Sequence, residues 1–145
     1  MTRVVPDSSV MVKWVNQDKE LDLDKADQLL LDVQSGEVEL VAPELAKYEI
    51  GNALLKKGLQ QTQAFQSLGT VYSLPVQFVP ETEELANQTY QIANKLRLAG
   101  DFKLSYYDAS FAALAKQEGA ILVTANPKHQ TKISGVTIVP LGNYK

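Results

Sequence analysis

Val4-Val5-Pro6-Asp7-Ser8-Ser9-Val10-Met11-Val12-Lys13-Trp14-Val15 changes character partway along. Two β-branched residues lead to a carboxylate, two hydroxyl residues follow, and the apolar spacing beyond them suits a helix. Open α/β sheets bind their ligands outside the carboxyl ends of the strands, so an Asp that ends a strand and opens a helix stands where a metal ion or phosphate would sit. Asp7 is therefore the first candidate site residue. An Asp before a helix is also an ordinary N-cap, accepting from free backbone N–H groups. Other carboxylates at equivalent places must decide between the two readings.

Outward from this stretch, strands and helices alternate. Residues 3–6 read as a strand and 10–15 as a short helix. Leu23, Ala26, Leu29, Leu30 and Val33 form the stripe of a second helix over 22–34, which Gly36 ends. Residues 38–42 alternate with period two as a strand, and Pro43 suits the first turn of a third helix running to 57. A fourth helix is expected over 62–72, a third strand over 75–79, and a long amphipathic helix over 81–99. A loop leads to a helix over 106–118. Ala120-Ile121-Leu122-Val123-Thr124 is a continuous apolar strand of the kind buried on both faces of a parallel sheet, and 137–139 reads as the last strand. No hairpin signal breaks this order. The expected fold is one domain, residues 1–145, a three-layer α/β/α sandwich around a parallel sheet of about five strands.

The bulk numbers agree with a single globular domain: 145 residues, 45% hydrophobic and 21% charged. The absence of cysteine excludes disulfides, thiolate metal sites and cysteine nucleophiles. An acidic residue precedes any apolar run of signal-peptide length and no segment approaches a membrane span, so a cytoplasmic protein with no membrane partner is expected. The net charge of −3, from 14 Lys and Arg against 17 Asp and Glu, argues against nucleic-acid binding over a wide basic face. It leaves a nuclease open, because cations held by acidic ligands cancel charge that the formal count includes.

Three further positions follow strands. Glu49 lies two turns into the third helix with Asn52 on the same face and Lys56 a turn beyond, where its charge would offset the carboxylate; a solvated surface Glu is the plain alternative. Asp108, in Ser105-Tyr106-Tyr107-Asp108, fits a capping box with Asp in place of Glu. It also opens a helix of small apolar residues, Ala109-Ser110-Phe111-Ala112-Ala113-Leu114-Ala115, which would desolvate it and leave it in need of a partner such as a divalent cation. Asn126, after Thr124-Ala125, stands where a fourth carboxylate would be; its carbonyl oxygen can bind a metal or a metal-bound water, or it is a turn residue before Pro127.

Carboxylates packed within a few ångströms raise one another's pKa and stay ionised together only when cations join them. All-oxygen ligands select Mg²⁺ or Mn²⁺, and such an ion activates water and polarises a phosphodiester. Ser9 and Thr124 are suited to hydrogen bonds that orient the ligands.

These residues, in this order, resemble the PIN-domain ribonucleases, and among them the VapC-type toxins of toxin–antitoxin pairs. The likeness rests on Asp7-Ser8-Ser9-Val10 continuing to Val12-Lys13-Trp14, Ala42-Pro43-Glu44-Leu45 with Glu49 and Asn52, Tyr107-Asp108-Ala109 with Ala113-Leu114-Ala115, Gly119-Ala120, and Leu122-Val123-Thr124-Ala125. It spans nearly the whole chain. The resemblance implies a PIN-like sandwich, Mg²⁺- or Mn²⁺-dependent cleavage of an RNA substrate, a cognate antitoxin protein, and a homodimer. It puts Asp7, Glu49 and Asp108 on the three main acidic ligands. Asn126 falls on the fourth acidic position, where Asp is usual, which bears on the second metal site and on the rate.

Other residues carry blander readings. His129, the single histidine, reads as a solvated loop residue. Lys13, Lys56 and Lys57 are candidates for steering RNA. Tyr107 and Phe111, four apart on one helix, read as core, as does Trp14; stacking of Tyr106, Tyr107 or Phe111 on bases is the alternative. No phosphate-cradling glycine loop and no Gly-x-Ser-x-Gly elbow is present. Two other function classes compete with the nuclease. One is a degenerate PIN-like module that binds RNA or a protein without cleavage, motivated by Asn126. The other is a receiver-type phosphate-transfer domain, which lacks support because Ser8 and Ser9 follow Asp7 where paired acids are usual.

Overall fold

The last residue of β1 (Thr2–Pro6) hands the chain to Asp7, whose extended backbone and side-chain oxygen, accepting from the Ser9 N–H, start α1 (Ser8–Val15). The same strand-to-helix step recurs through the computed structural model, which describes residues 1–145. After α2 (Leu23–Gln34) come β2 (Val38–Pro43), α3 (Leu45–Lys56), α4 (Gln61–Val71), β3 (Val76–Val79), α5 (Glu83–Leu98), α6 (Tyr106–Glu118), β4 (Ile121–Thr124) and β5 (Ile138–Pro140). Two 3₁₀ turns, Pro127–His129 and Leu141–Asn143, complete the chain.

All pairings are parallel and the strand order is β3-β2-β1-β4-β5. β1 is central, with Val4 in register with Leu40 on one side and Val5 with Leu122 on the other. The chain winds one way from β1 through β2 to β3, then crosses back to β4 and β5. The switch point therefore lies between β1 and β4, and ligands of such sheets bind at that crevice.

Alternation along the strands sends successive residues to opposite layers. Val5, Val41 and Leu122 join the larger core, with Ile50 and Leu54 of α3, Ile92 of α5 and Phe111 and Leu114 of α6. Val4, Leu40 and Val123 face the smaller one, with Ala26 and Leu29 of α2 and Leu141. This is the three-layer α/β/α sandwich expected from the strand and helix order. No helix is long and apolar enough to cross a membrane.

Several boundaries differ from the expected ones for identifiable reasons. Pro43 ends β2 opposite Val79 instead of opening α3, and the Glu44 N–H donates to the Val79 carbonyl at 3.0 Å; a strand tolerates Pro at its end, where the missing N–H breaks no ladder. Asp22 takes a left-handed conformation, φ 54°, so α2 begins at Leu23. Thr82 Oγ1 accepts from the Leu85 N–H, which fixes the start of α5 at Glu83 and leaves Glu81 outside. Gly119, at φ 58°, closes α6 at Glu118 as expected, but the Ala120 N–H still donates to the Ala115 carbonyl at 2.8 Å, so β4 begins at Ile121 instead of Ala120.

Candidate functional site

Asp7 meets the plainer of the two readings and also lies where the other would require it. It caps α1, and its side chain is 8% exposed at the β1–β4 switch point. Three donors meet on Oδ2: Ser9 Oγ at 2.6 Å, Ser9 N–H at 3.4 Å and Thr124 Oγ1 at 3.3 Å. Oδ1 receives none of them. The two hydroxyls are themselves held from behind, since Ser9 Oγ accepts from the Ala125 N–H at 3.1 Å and Thr124 Oγ1 from the Asn126 N–H at 3.1 Å. Each hydroxyl is thus oriented by a backbone donor toward the carboxylate, the arrangement expected of residues that position a ligand-binding group. Burial raises the Asp7 pKa above its ordinary value despite the opposing Ser9 bonds, and the Asp108 charge adds to the rise.

Asp108 reaches the same cavity from the first turn of α6, where its N–H donates to Ser105 Oγ at 3.0 Å as the capping pattern predicts. Its side chain is half-buried and not sealed, so the strong desolvation inferred from its apolar neighbours is not realised. The cavity holds about 400 Å³ and brings Asp7, Ser9, Asp108 and Asn126 together with Lys56 and Gln130. Asn126 presents an exposed amide at the rim.

Glu49 is set apart. Ser8 Oγ donates to its Oε1 at 3.0 Å, and with Asn52 it lines a second recess that shares Ser8, Ala53 and Lys56 with the first. Burial pushes its pKa up to about 6, with the charges of Asp7 and Asp108 adding to the rise and the Ser8 bond opposing it. The three carboxylates therefore feel one another, but no group of three His, Asp or Glu side chains is gathered closely enough to hold an ion as it stands. The donors available are carboxylate and amide oxygens from Asp7, Asp108, Asn126 and, across the shared wall, Glu49. A separate cavity of about 360 Å³ between α5 and α6 is lined by Lys95, Lys116 and Lys132 and contains none of these acids.

The blander readings divide. His129 is not a free loop residue; the 3₁₀ turn after Asn126 carries it to the cavity wall. Lys13 and Lys57 are withdrawn from any RNA-steering role. Lys13 is 6% exposed and bound to Glu20 and the Leu21 carbonyl, while Lys57 is bound to Glu20 and to the carbonyls of Asn16 and Asp18. Lys56 alone of the three lines the cavity. Phe111 is core, whereas Tyr107 is exposed, and Trp14 packs against both cores with Nε1 donating to the Ala26 carbonyl at 2.8 Å. Ser8 and Gln130 escaped the sequence reading. Ser8 had a visible signal, a hydroxyl beside Asp7; Gln130 had none, lying in a segment without periodicity.

The fold is shared with known proteins. A chain of the DNA-bound VapBC complex from Salmonella typhimurium superposes with a TM-score of 0.72 at 17% identity, covering 97% of this chain and 99% of that one. The VapBC2 complex from Rickettsia felis, bound to a DNA fragment from its promoter, gives 0.76 at 16% identity, over 96% and 98%. VapC20 of Mycobacterium tuberculosis, a sarcin-ricin loop cleaving toxin, gives 0.61 at 16% identity, over 84% and 87%. At these identities the likeness is one of fold. No curated protein matches the chain. The sequence profile of the PIN domain matches residues 4–134, from the first strand through the segment behind the acidic cavity. That span takes in every residue placed at the switch point, and on it the chain belongs to the PIN domain family.

Proposed function

We propose that this protein is a Mg²⁺- or Mn²⁺-dependent endoribonuclease of the VapC type, the toxin of a toxin–antitoxin pair. One observation carries the reading: Asp7 is a buried carboxylate whose Oδ2 is held by three donors while Oδ1 is left free in a cavity shared with Asp108. A buried anion so oriented lacks a counter-charge, and the likeness to VapBC and VapC20 chains supports a nuclease.

The donor set fits a hard divalent cation, being all oxygen and carrying two carboxylates on one wall with a third adjoining. Asp7 and Asp108 would hold the ion, Glu49 would complete the set from the neighbouring recess, and Asn126 would supply a neutral oxygen. Such an ion, when bound, lowers the pKa of water and polarises the scissile phosphate. Ser9 and Thr124 keep Asp7 fixed, so no reorganisation of that ligand is needed during reaction. Ser8 donates to Glu49 and opposes, without cancelling, the rise that burial causes. Lys56, on the wall common to both recesses, supplies positive charge for an RNA strand.

Cleavage of a mixed single-stranded RNA by the purified chain, in Mg²⁺, in Mn²⁺ and in EDTA, tests the proposal beside Asp7→Asn. Metal-dependent cutting that the variant and EDTA both abolish is expected; cutting that survives in the variant sinks it. A second reading, favoured by the amide at Asn126 and the separation of Glu49, is a module that binds RNA or a protein partner without cutting. It predicts no Mn²⁺ uptake by calorimetry, and uptake lost in Asp7→Asn excludes it. A cognate antitoxin and a homodimer belong to the leading proposal, and Tyr48, Leu55 and Tyr72 offer exposed apolar contact area. Light scattering of the chain alone reads the dimer.

A further inference from the structure

Two buried side-chain polar atoms in the whole chain lack a hydrogen-bond partner, Gln88 Oε1 and Gln130 Oε1. They differ in setting. Gln88 is half-buried on α5, in the lysine-lined cavity away from the acids. Gln130 is 3% exposed and lines the cavity of Asp7, Asp108 and Asn126.

The backbone of Gln130 is fully engaged. Its N–H donates to the Pro127 carbonyl at 3.0 Å, and its carbonyl accepts from the Ile133 N–H at 3.0 Å. These bonds fix the residue at the end of the 3₁₀ turn and drive its side chain inward. Fixing a glutamine costs rotamer entropy, and burying its amide without a partner costs desolvation. An apolar side chain of the same length would fill the space without either cost. A phosphate cannot satisfy the sealed acceptor; what a ligand can meet is the donor end of the same amide, which is not among the sealed, unpaired atoms. Oε1 is sealed from solvent, which leaves the Nε2 end of the amide to meet the cavity.

We propose that Gln130 is a positioning residue that donates from Nε2 to a nonbridging phosphate oxygen of an RNA strand lying in the acidic cavity. The inference rests on the nuclease reading for the identity of the strand. A neutral donor is what this place requires. Asp7 and Asp108 repel an approaching phosphate, and a lysine sealed to this depth would lose its hydration, whereas an amide donates at small desolvation cost.

Gln130→Met keeps length and volume and removes both polar atoms. Loss of one hydrogen bond to a charged oxygen raises KM about tenfold or more. The turnover number is expected to stay within about twofold, since uniform binding is what is lost. The melting temperature is unchanged or higher, because the orphan is gone. A purely structural glutamine would leave KM where it was, and that result overturns the proposal. Binding of a fluorescent single-stranded RNA, with Ca²⁺ replacing Mn²⁺ so that the strand persists, is expected to weaken in the same proportion. A parent protein that binds but does not cut, with Gln130→Met binding more weakly, removes the nuclease reading and sustains this one. A parent that neither cuts nor binds removes both. Should Gln130→Met fail to fold, the side-chain amide signal of Gln130 in the ¹⁵N spectrum of the parent decides. It shifts on addition of RNA if Nε2 donates, and a stationary signal overturns the assignment.

Discussion

Ser8 Oγ donates to Glu49 Oε1 at 3.0 Å and so ties the first turn of α1 to the middle of α3. The bond favours the ionised carboxylate, yet burial outweighs it and pushes the pKa up to about 6 with the bond in place. In Ser8→Ala the titration midpoint of the Glu49 carboxyl, followed by ¹³C spectroscopy in EDTA, is expected above that value. The acid limb of any cleavage profile moves the same way. A midpoint that stays or falls shows that Ser8 does not govern the group.

Asp7→Asn is expected to make the metal-free protein more stable at neutral pH while abolishing cleavage. A carboxyl whose folded-state pKa lies above its unfolded value binds its proton more tightly when folded. Stability is then greatest at low pH and declines as pH rises through the folded value. Asp7 and Glu49 both act in this sense, and for Glu49 the window runs from 4.5 to about 6. Calorimetry in EDTA across that range is expected to show a decline in the parent that is smaller in Asp7→Asn and smaller again with Glu49→Gln added. A variant less stable than its parent at pH 7 would mean that Asp7 is held by more than its three donors.

Ser9→Ala removes the 2.6 Å donor to Asp7 and the acceptor for the Ala125 N–H together. Partners that orient a ligand are typically worth about 10–100-fold in metal affinity. Mn²⁺ calorimetry is expected to place Ser9→Ala within that range and Thr124→Val, whose bond is 3.3 Å, below it. Equal losses in the two variants would argue for a general loosening of the β4 end instead.

Glu20→Gln tests a different device. Lys13 and Lys57, with side chains 6% and 9% exposed, share one carboxylate at 3.0 and 2.8 Å. Burial alone would raise the Glu20 pKa, yet the bonds from Lys57 and Lys13 outweigh it and hold the group below its ordinary value. Its contribution is present above the unfolded pKa and lost as pH falls through the folded one. Removing one partner of a buried pair costs about 3 kcal/mol or more, read as a lower urea midpoint at unchanged slope. A loss below about 1 kcal/mol would class the cluster with surface pairs.

What the residues disclosed, and what they withheld, follows physical lines. The apolar run of β4 and the stripe of α5 dictate their elements because burial on both faces, or on one, leaves a period in the sequence. The places of Asp7 and Asp108 in the fold were legible because a helix start is a local feature and both cap or open one. Glu49 was assigned to the same edge, but the rotation of α3 that pairs it with Ser8 depends on packing between helices that no spacing encodes. The clamp on Lys13 needed Glu20, which lies in an irregular segment. Gln130 and His129 owe their places to a 3₁₀ turn three residues long, too short to leave a pattern.

The Thr124 hydroxyl and the Asp7 carboxylate are 117 residues apart in the chain and meet because β1, made first, lies beside β4, made late. During synthesis the aspartate emerges early and waits without its hydroxyl partner, its cavity wall or the strand that flanks it. At about 5–20 residues per second, several seconds separate the two. A fragment that lacks β4 lacks the cavity, so the carboxylate gains its hydroxyl partner only after β4 has left the ribosome and paired.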